Sequence, residues 1–157
     1  MINLRFVSHP GPFTVAVRFA QYGFWPSHCE AVLPDGQRLG SWFLHGGGVR
    51  VLPPNYDVGG FSREIFVSVK ATAEEESSFY AWLHSQIGKP YDWRAIISFY
   101  SKMSGRNWQA TDSYFCSELI AAGLAACGIF PPHLAVGFGR ITPRDLLFLT
   151  STLSEAR

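Results

Sequence analysis

The sequence predicts an α+β domain in which an antiparallel β-sheet packs against helices. The chain has 157 residues, of which 47% are hydrophobic. That length suits one domain, and a chain of this size buries roughly two-thirds of its unfolded surface. Short apolar runs bounded by turn residues fill the first half, whereas apolar residues at helical spacing fill the second half. Because the strands and helices occur in separate blocks, the α+β class is favoured, with residues 1–157 as a single domain.

Short strands account for most of the first half of the chain. Apolar runs predict them at residues 3–7, 27–33, 38–44, 49–52 and 64–69. Pro34-Asp35-Gly36 is a strong turn signal, so the second and third strands are expected to form a hairpin. Residues 14–19 alternate in polarity and predict either a strand or a short helix. Turn residues recur about every ten positions, and this pattern favours an antiparallel sheet.

Helices account for most of the second half. Apolar spacing and helix-terminal residues predict them at residues 72–88, 93–103, 114–127 and 142–149. Thr72 and Glu75 have the spacing of a capping box, and Pro143 occupies the favoured first position of the last helix. Asp112 or Ser113 is the expected cap of the helix that begins near residue 114. No linker separates the two blocks, which is consistent with one domain.

Charge and hydropathy exclude several classes of function. The formal net charge is +1 at pH 7. Since the sequence also lacks a basic cluster, nucleic-acid binding is not expected. The longest apolar run, residues 119–130, is shorter than the ~20 residues that a membrane-spanning helix needs. The first residues lack the pattern of a secretory signal peptide.

The three cysteines predict a thiol rather than a disulfide or a zinc site. They lie at positions 29, 116 and 127, and both their odd number and their spacing argue against a disulfide framework or a metal. We therefore expect no cofactor. Cys116 follows the expected caps and lies in the first turn of a helix, where free N–H groups and the helix dipole favour a thiolate. At helical spacing Cys116 also shares one face with apolar residues, which fits an inert cysteine of the core. These residues are Leu119, Ile120, Gly123, Leu124 and Cys127.

One of the five histidines has the setting of a catalytic base. His28 lies in a predicted strand, where the two-residue period puts His28 and Glu30 on one face and Cys29 and Ala31 on the other. A histidine beside a carboxylate resembles a thiol base with its orienting partner. It also resembles a polar pair at the edge of a sheet. His45, beside three glycines, is either a substrate contact or an exposed hairpin residue.

A third segment completes a family resemblance. Gly88-Lys89-Pro90-Tyr91-Asp92-Trp93, followed by Cys116-Ser117-Glu118-Leu119, resembles the NlpC/P60 superfamily of papain-like cysteine hydrolases. His28 precedes Cys116, and this order is similar to the circularly permuted branch of YiiX-like and YaeF-like proteins, lecithin retinol acyltransferase and small phage proteins. Further similarity to that branch lies at residues 4–7, 27–30, 34–36 and 142–146.

The resemblance implies a permuted papain-like fold and a cysteine hydrolase of the peptidase or amidase type. In such an enzyme Cys116 would attack the carbonyl of an amide or ester and form an acyl-enzyme, with His28 as its base. Glu30 is the expected third catalytic residue because it shares a face with His28. Ser41 and His45, on the following hairpin, are the alternatives for that role.

The implied substrate site includes Tyr91, Phe115, Ser117 and His45, and the substrate class is a peptide, a peptidoglycan fragment or a lipid. Peptidoglycan-cutting members carry Asp directly before the nucleophile, whereas this chain has Phe115, so specificity for a cell-wall stem peptide is not implied. Two alternatives remain open: an acyltransferase, and a phage or prophage tail-associated structural protein with a degenerate site. The expected location is the cytoplasm or a phage virion, where phage structural proteins would be partners.

Overall fold

The computed structural model describes residues 1–43, 46–92, 113–131 and 141–155 and shows an α+β arrangement. The strands are β1 (Ile2–Ser8), β2 (His28–Val32), β3 (Arg38–Trp42), β4 (Gly48–Leu52) and β5 (Arg63–Val69). The helices in these ranges are α1 (Pro12–Ala20), α2 (Ala73–Ser85), α3 (Cys116–Ala126) and α4 (Pro143–Glu155). Among them, none is both long enough and apolar enough to span a lipid bilayer.

The five strands form one antiparallel sheet in the order β4-β3-β2-β1-β5. β1 lies between β2 and β5, so the first strand of the chain is an interior strand. Its register pairs Arg5 with Glu30 and Val7 with His28. The predicted combination of an antiparallel sheet with helices is confirmed, and the register brings a charged residue of β1 opposite the His28–Glu30 pair.

The core lies between one face of the sheet and the helices: α3 packs against β2 and β3, α2 packs against α3, and α4 packs against β5. Leu119, Ile120 and Leu124 of α3 are fully buried in it. Gly123 allows α3 to approach α2 closely, because a Cβ at this position would lie only 2.9 Å from Cε2 of Phe79. This packing fixes α3 against the sheet, and its first residue is Cys116.

Several predicted boundaries differ from the structure. Residues 14–19, for which the sequence predicted either a strand or a short helix, lie in helix α1; Pro12 starts this helix, and its Thr14 and Val17 share the buried face. Helix α4 continues to Glu155, beyond the predicted end at residue 149. The capping box of Thr72 and Glu75 is confirmed. The predicted helix at 93–103, and His45, fall outside the residues that the structure describes.

Candidate active site

Cys116 is the first residue of α3 and is almost completely buried. The residue before the helix is Phe115, whose backbone is extended, so the predicted caps at Asp112 or Ser113 are wrong. Glu118, in the first turn, accepts a hydrogen bond from the Phe115 N–H at 3.3 Å. The helix therefore begins later than the capping residues suggested, and the sulfur lies at its N-terminal end, where the dipole favours negative charge.

The start of α3 is held by the Gly-x-Pro-Tyr turn and by the sheet. The Tyr114 N–H donates to the Pro90 carbonyl at 3.2 Å, and the Asp92 N–H donates to the Tyr114 carbonyl at 3.2 Å. The same carbonyl accepts a hydrogen bond from the buried Ser41 hydroxyl at 2.6 Å. These bonds hold the backbone at Tyr114 in a bridge to Tyr91, and the helix begins two residues later, at Cys116. The sequence offered Ser41 as an alternative third catalytic residue. In the structure its hydroxyl instead holds the backbone before α3.

The Cys116 thiol and the His28 ring shift each other's pKa in opposite directions. Burial alone would lower the pKa of His28, but the negative charges of Cys116 and Glu30 beside the ring raise it to about 9. Burial alone would raise the pKa of Cys116, but a hydrogen bond from Cys29 and the charge of His28 hold it well below its ordinary value. Both shifts favour a thiolate beside an imidazolium over a neutral thiol and a neutral imidazole.

The other two cysteines differ from Cys116 in their surroundings. Cys29 lies on the core face of β2 and is fully buried. Burial and the neighbouring Cys116 raise the pKa of Cys29 well above its ordinary value, so it stays a neutral thiol that donates to the Cys116 sulfur. Cys127, one residue beyond α3, donates to the Leu124 carbonyl at 3.4 Å. The surroundings of Cys116 thus favour its thiolate, whereas those of Cys29 oppose ionisation.

Glu30 lies beside His28, as the two-residue period of the strand predicted. Its Oε2 lies 3.5 Å from Nε2 of His28, an ionic contact rather than a well-aligned hydrogen bond. Arg5 donates to Oε1 at 2.8 Å, and the Tyr56 hydroxyl donates to Oε2 at 2.9 Å. Burial alone would raise the pKa of Glu30, but His28 and Arg5 lower it, so the carboxylate stays ionised.

Of the predicted substrate contacts, Tyr91 and Phe115 lie together. Their ring centroids are 5.9 Å apart. Burial raises the pKa of Tyr91 well above its ordinary value, and the negative charge of the nearby Cys116 adds to the effect. The Tyr91 ring also meets Phe13 at 6.1 Å and the half-exposed Phe43 at 5.7 Å. Aromatic rings therefore extend from the region of the sulfur to the surface.

Ser117 has a different environment from these rings. It is fully buried, and its hydroxyl donates to the Ile141 carbonyl at 2.6 Å. This bond ties the first turn of α3 to the segment that leads into α4, so the geometry gives Ser117 a structural contact rather than a position facing a ligand.

The sequence prediction missed several residues around His28. Arg5 and Tyr56 hold Glu30, and the Trp42 ring lies 5.5 Å from the His28 ring. His9 lies on another side, with its ring centroid 6.0 Å from that of His28. Arg5 carried one signal that could have revealed it, since a charged residue inside a buried strand needs a buried partner of opposite charge.

The arrangement can perform nucleophilic chemistry. A thiolate lies at a helix N-terminus, an imidazolium lies beside it, and a buried carboxylate holds the imidazole from its other side. A scan against protein-family models finds no match for the chain, and a search of curated proteins finds no significant relative. The geometry and charge of these side chains are therefore what points to a function.

Proposed function

We propose that this chain is a cysteine hydrolase that cleaves an amide or ester bond through an acyl-enzyme on Cys116. The observation that carries the proposal is the position of Cys116, a buried cysteine at the first residue of α3 beside His28, which in turn lies 3.5 Å from the buried Glu30 carboxylate. The charges of this cluster lower the pKa of Cys116 and raise that of His28. Sequence similarity to the permuted papain-like branch of the NlpC/P60 superfamily supports the same conclusion. That branch has the same order along the chain, with the histidine strand before the cysteine helix.

In the first half-reaction the Cys116 thiolate attacks the carbonyl carbon and forms a C–S bond, and the carbonyl oxygen gains the negative charge. The Cys116 N–H lies in the first turn of α3 and has no acceptor within the helix, so it is a suitable donor to that oxygen. His28 then gives its proton to the leaving nitrogen or oxygen as the bond to carbon breaks. Glu30 stabilises the imidazolium and limits its rotation.

In the second half-reaction water replaces the leaving group. Neutral His28 removes a proton from the water as its oxygen attacks the thioester carbon. The C–S bond then breaks, and the thiolate–imidazolium pair forms again. A hydroxyl or amine acceptor in place of water would make the reaction an acyl transfer, so product analysis distinguishes the two outcomes.

The direct test is to trap the acyl-enzyme on the full chain. Incubation with p-nitrophenyl acetate should release a burst of nitrophenolate, and mass spectrometry should locate one acetyl group on Cys116. Cys116→Ala should abolish the burst, whereas the matched variant Cys127→Ala should retain it. Acetylation that is equal at the three cysteines, or a burst that persists in Cys116→Ala, would contradict the proposal.

A further inference from the structure

A buried polar network lies behind the His28–Glu30 pair, on the side away from Cys116. Arg5 is 2% exposed and contacts three carboxylates that come from different parts of the chain. Its Nη1 donates to Oε1 of Glu30 at 2.8 Å and to Asp57 at 2.9 Å, while its Nε donates to Glu64 at 2.7 Å. A buried guanidinium needs such partners. Arg5 therefore fixes one oxygen of Glu30 in place.

The other oxygen of Glu30 has two partners that compete for it. Oε2 accepts a hydrogen bond from the Tyr56 hydroxyl at 2.9 Å and lies 3.5 Å from Nε2 of His28. Oε1, in contrast, faces two arginines, since Arg38 Nε lies 3.6 Å from it in addition to the hydrogen bond from Arg5. Only Oε2 therefore faces a group whose charge changes during the proposed reaction.

The direction of the Tyr56 hydrogen bond is set by Trp42. The Trp42 indole N–H lies 3.2 Å from the Tyr56 hydroxyl oxygen. An indole N–H can only donate, so the hydroxyl oxygen accepts this bond and its own proton is directed at Glu30. The rings of Trp42 and Tyr56 meet edge to face at 5.8 Å, which holds the tyrosine against the pair.

We propose that Tyr56 is a positioning residue for the catalytic pair: aligned by Trp42, it holds Oε2 of Glu30 and limits how strongly this oxygen binds His28. The inference rests on the proposed function. Its physical basis is that two donors share the charge of one oxygen. When Tyr56 donates, less of that charge is available to the imidazolium, and the proton on His28 can leave more easily.

Other groups around His28 also affect its titration. Cys116 approaches from α3, Glu30 from the same strand, and His9 from the loop after β1. The Nε2 of His9 lies 2.9 Å from Oδ2 of Asp57. Burial lowers the pKa of His9, and the positive charge of His28 lowers it further. A test must therefore follow the His28 ring itself rather than an overall pH profile.

The test compares Tyr56→Phe with the matched control Tyr80→Phe in the full chain. Each variant removes one tyrosine hydroxyl that donates a hydrogen bond, since Tyr80 donates to the Val32 carbonyl on β2 at 2.8 Å. The measurement is an NMR titration of the histidine rings, with the His28 signal assigned from its absence in His28→Gln. The unaltered protein should show His28 titrating at about pH 9.

Tyr56→Phe should raise the His28 midpoint by about half a pH unit or more, because a hydrogen bond to a charged carboxylate is worth about one to two pH units and His28 gains part of the charge that Tyr56 no longer shares. Tyr80→Phe should leave the midpoint unchanged even where it lowers the melting temperature. A Tyr56→Phe midpoint within error of the unaltered protein would overturn the inference. The proposed function fails separately, if no acyl group is found on Cys116 in the unaltered protein.

Discussion

The charge on His28 makes a quantitative prediction about the reactivity of Cys116. The pKa of His28 is raised from 6.5 to about 9, and each pKa unit corresponds to about 1.4 kcal/mol. The net preference for the imidazolium is thus about 3.4 kcal/mol, although burial opposes it. Because the attraction between two groups is mutual, replacing His28 by Gln should raise the pKa of Cys116. Glu30 supplies part of the shift of His28 and burial opposes it, so we take the net value as the order of magnitude of the pair's attraction.

An attraction on the order of 3 kcal/mol corresponds to a factor of several hundred in the thiolate fraction at neutral pH. The remaining thiolate is a stronger nucleophile, because nucleophilicity increases with pKa with a slope of about 0.4–0.5. On a logarithmic scale, about half of the loss in thiolate fraction is therefore recovered in the alkylation rate. We expect iodoacetamide to modify Cys116 on the order of 20- to 30-fold more slowly in His28→Gln at pH 7, measured by mass spectrometry of the Cys116 peptide.

The control for this experiment is His84→Gln, which removes an exposed histidine near the end of α2. Its alkylation rate should equal that of the unaltered protein. Because each comparison uses the same buried sulfur, limited access of the reagent affects all three proteins alike. A rate for His28→Gln within about twofold of the control would refute the ion pair, since the expected change is tenfold larger.

Two further predictions concern the first turn of α3. Burial raises the pKa of Glu118 to about 7; an acid that binds its proton more tightly when folded loses stability as pH rises from about 4.5 through 7. Glu118→Gln should therefore unfold at a higher temperature than the unaltered protein at pH 8. Its gain in the free energy of unfolding is at most about 3 kcal/mol, and less because the side chain is partly exposed. The gain should disappear near pH 4. Ser41→Ala removes the hydroxyl donor of the partly buried Tyr114 carbonyl, which keeps the Asp92 N–H as a donor, and should lower the free energy of unfolding in urea by about 0.5–1.5 kcal/mol; an unchanged midpoint would show that this bond contributes nothing.

The features that the sequence predicted correctly depend on local spacing. His28 and Glu30 lie side by side because a strand repeats every two residues. Cys116 lies at a helix start because apolar spacing and a terminal glycine limit where that helix fits. The capping residue was not predictable in the same way. Long-range bonds from Ser41 and Pro90 hold Tyr114 extended, and these bonds outweigh the preference of Asp112 or Ser113 for a cap.

The partners of Glu30 needed the tertiary structure. Arg5 meets Glu30 only because β1 lies in the interior of the sheet next to β2, and strand order is not encoded in the periodicity of either strand. Tyr56 lies in a loop after two prolines, where the sequence indicates only a turn. Residues that are distant in sequence came together through the register of the sheet, which local patterns do not specify.

The order of His28 and Cys116 along the chain has a consequence for how the protein acquires its reactivity. More than half of the chain separates the two residues, and the sheet strands all precede α3. A nascent chain can therefore pair its strands before the nucleophile has been synthesised, and contacts of such large sequence separation form late in folding. Until α3 docks, Cys116 has the reactivity of an ordinary thiol. The rise in the alkylation rate of Cys116 during refolding would therefore report when α3 docks against the sheet.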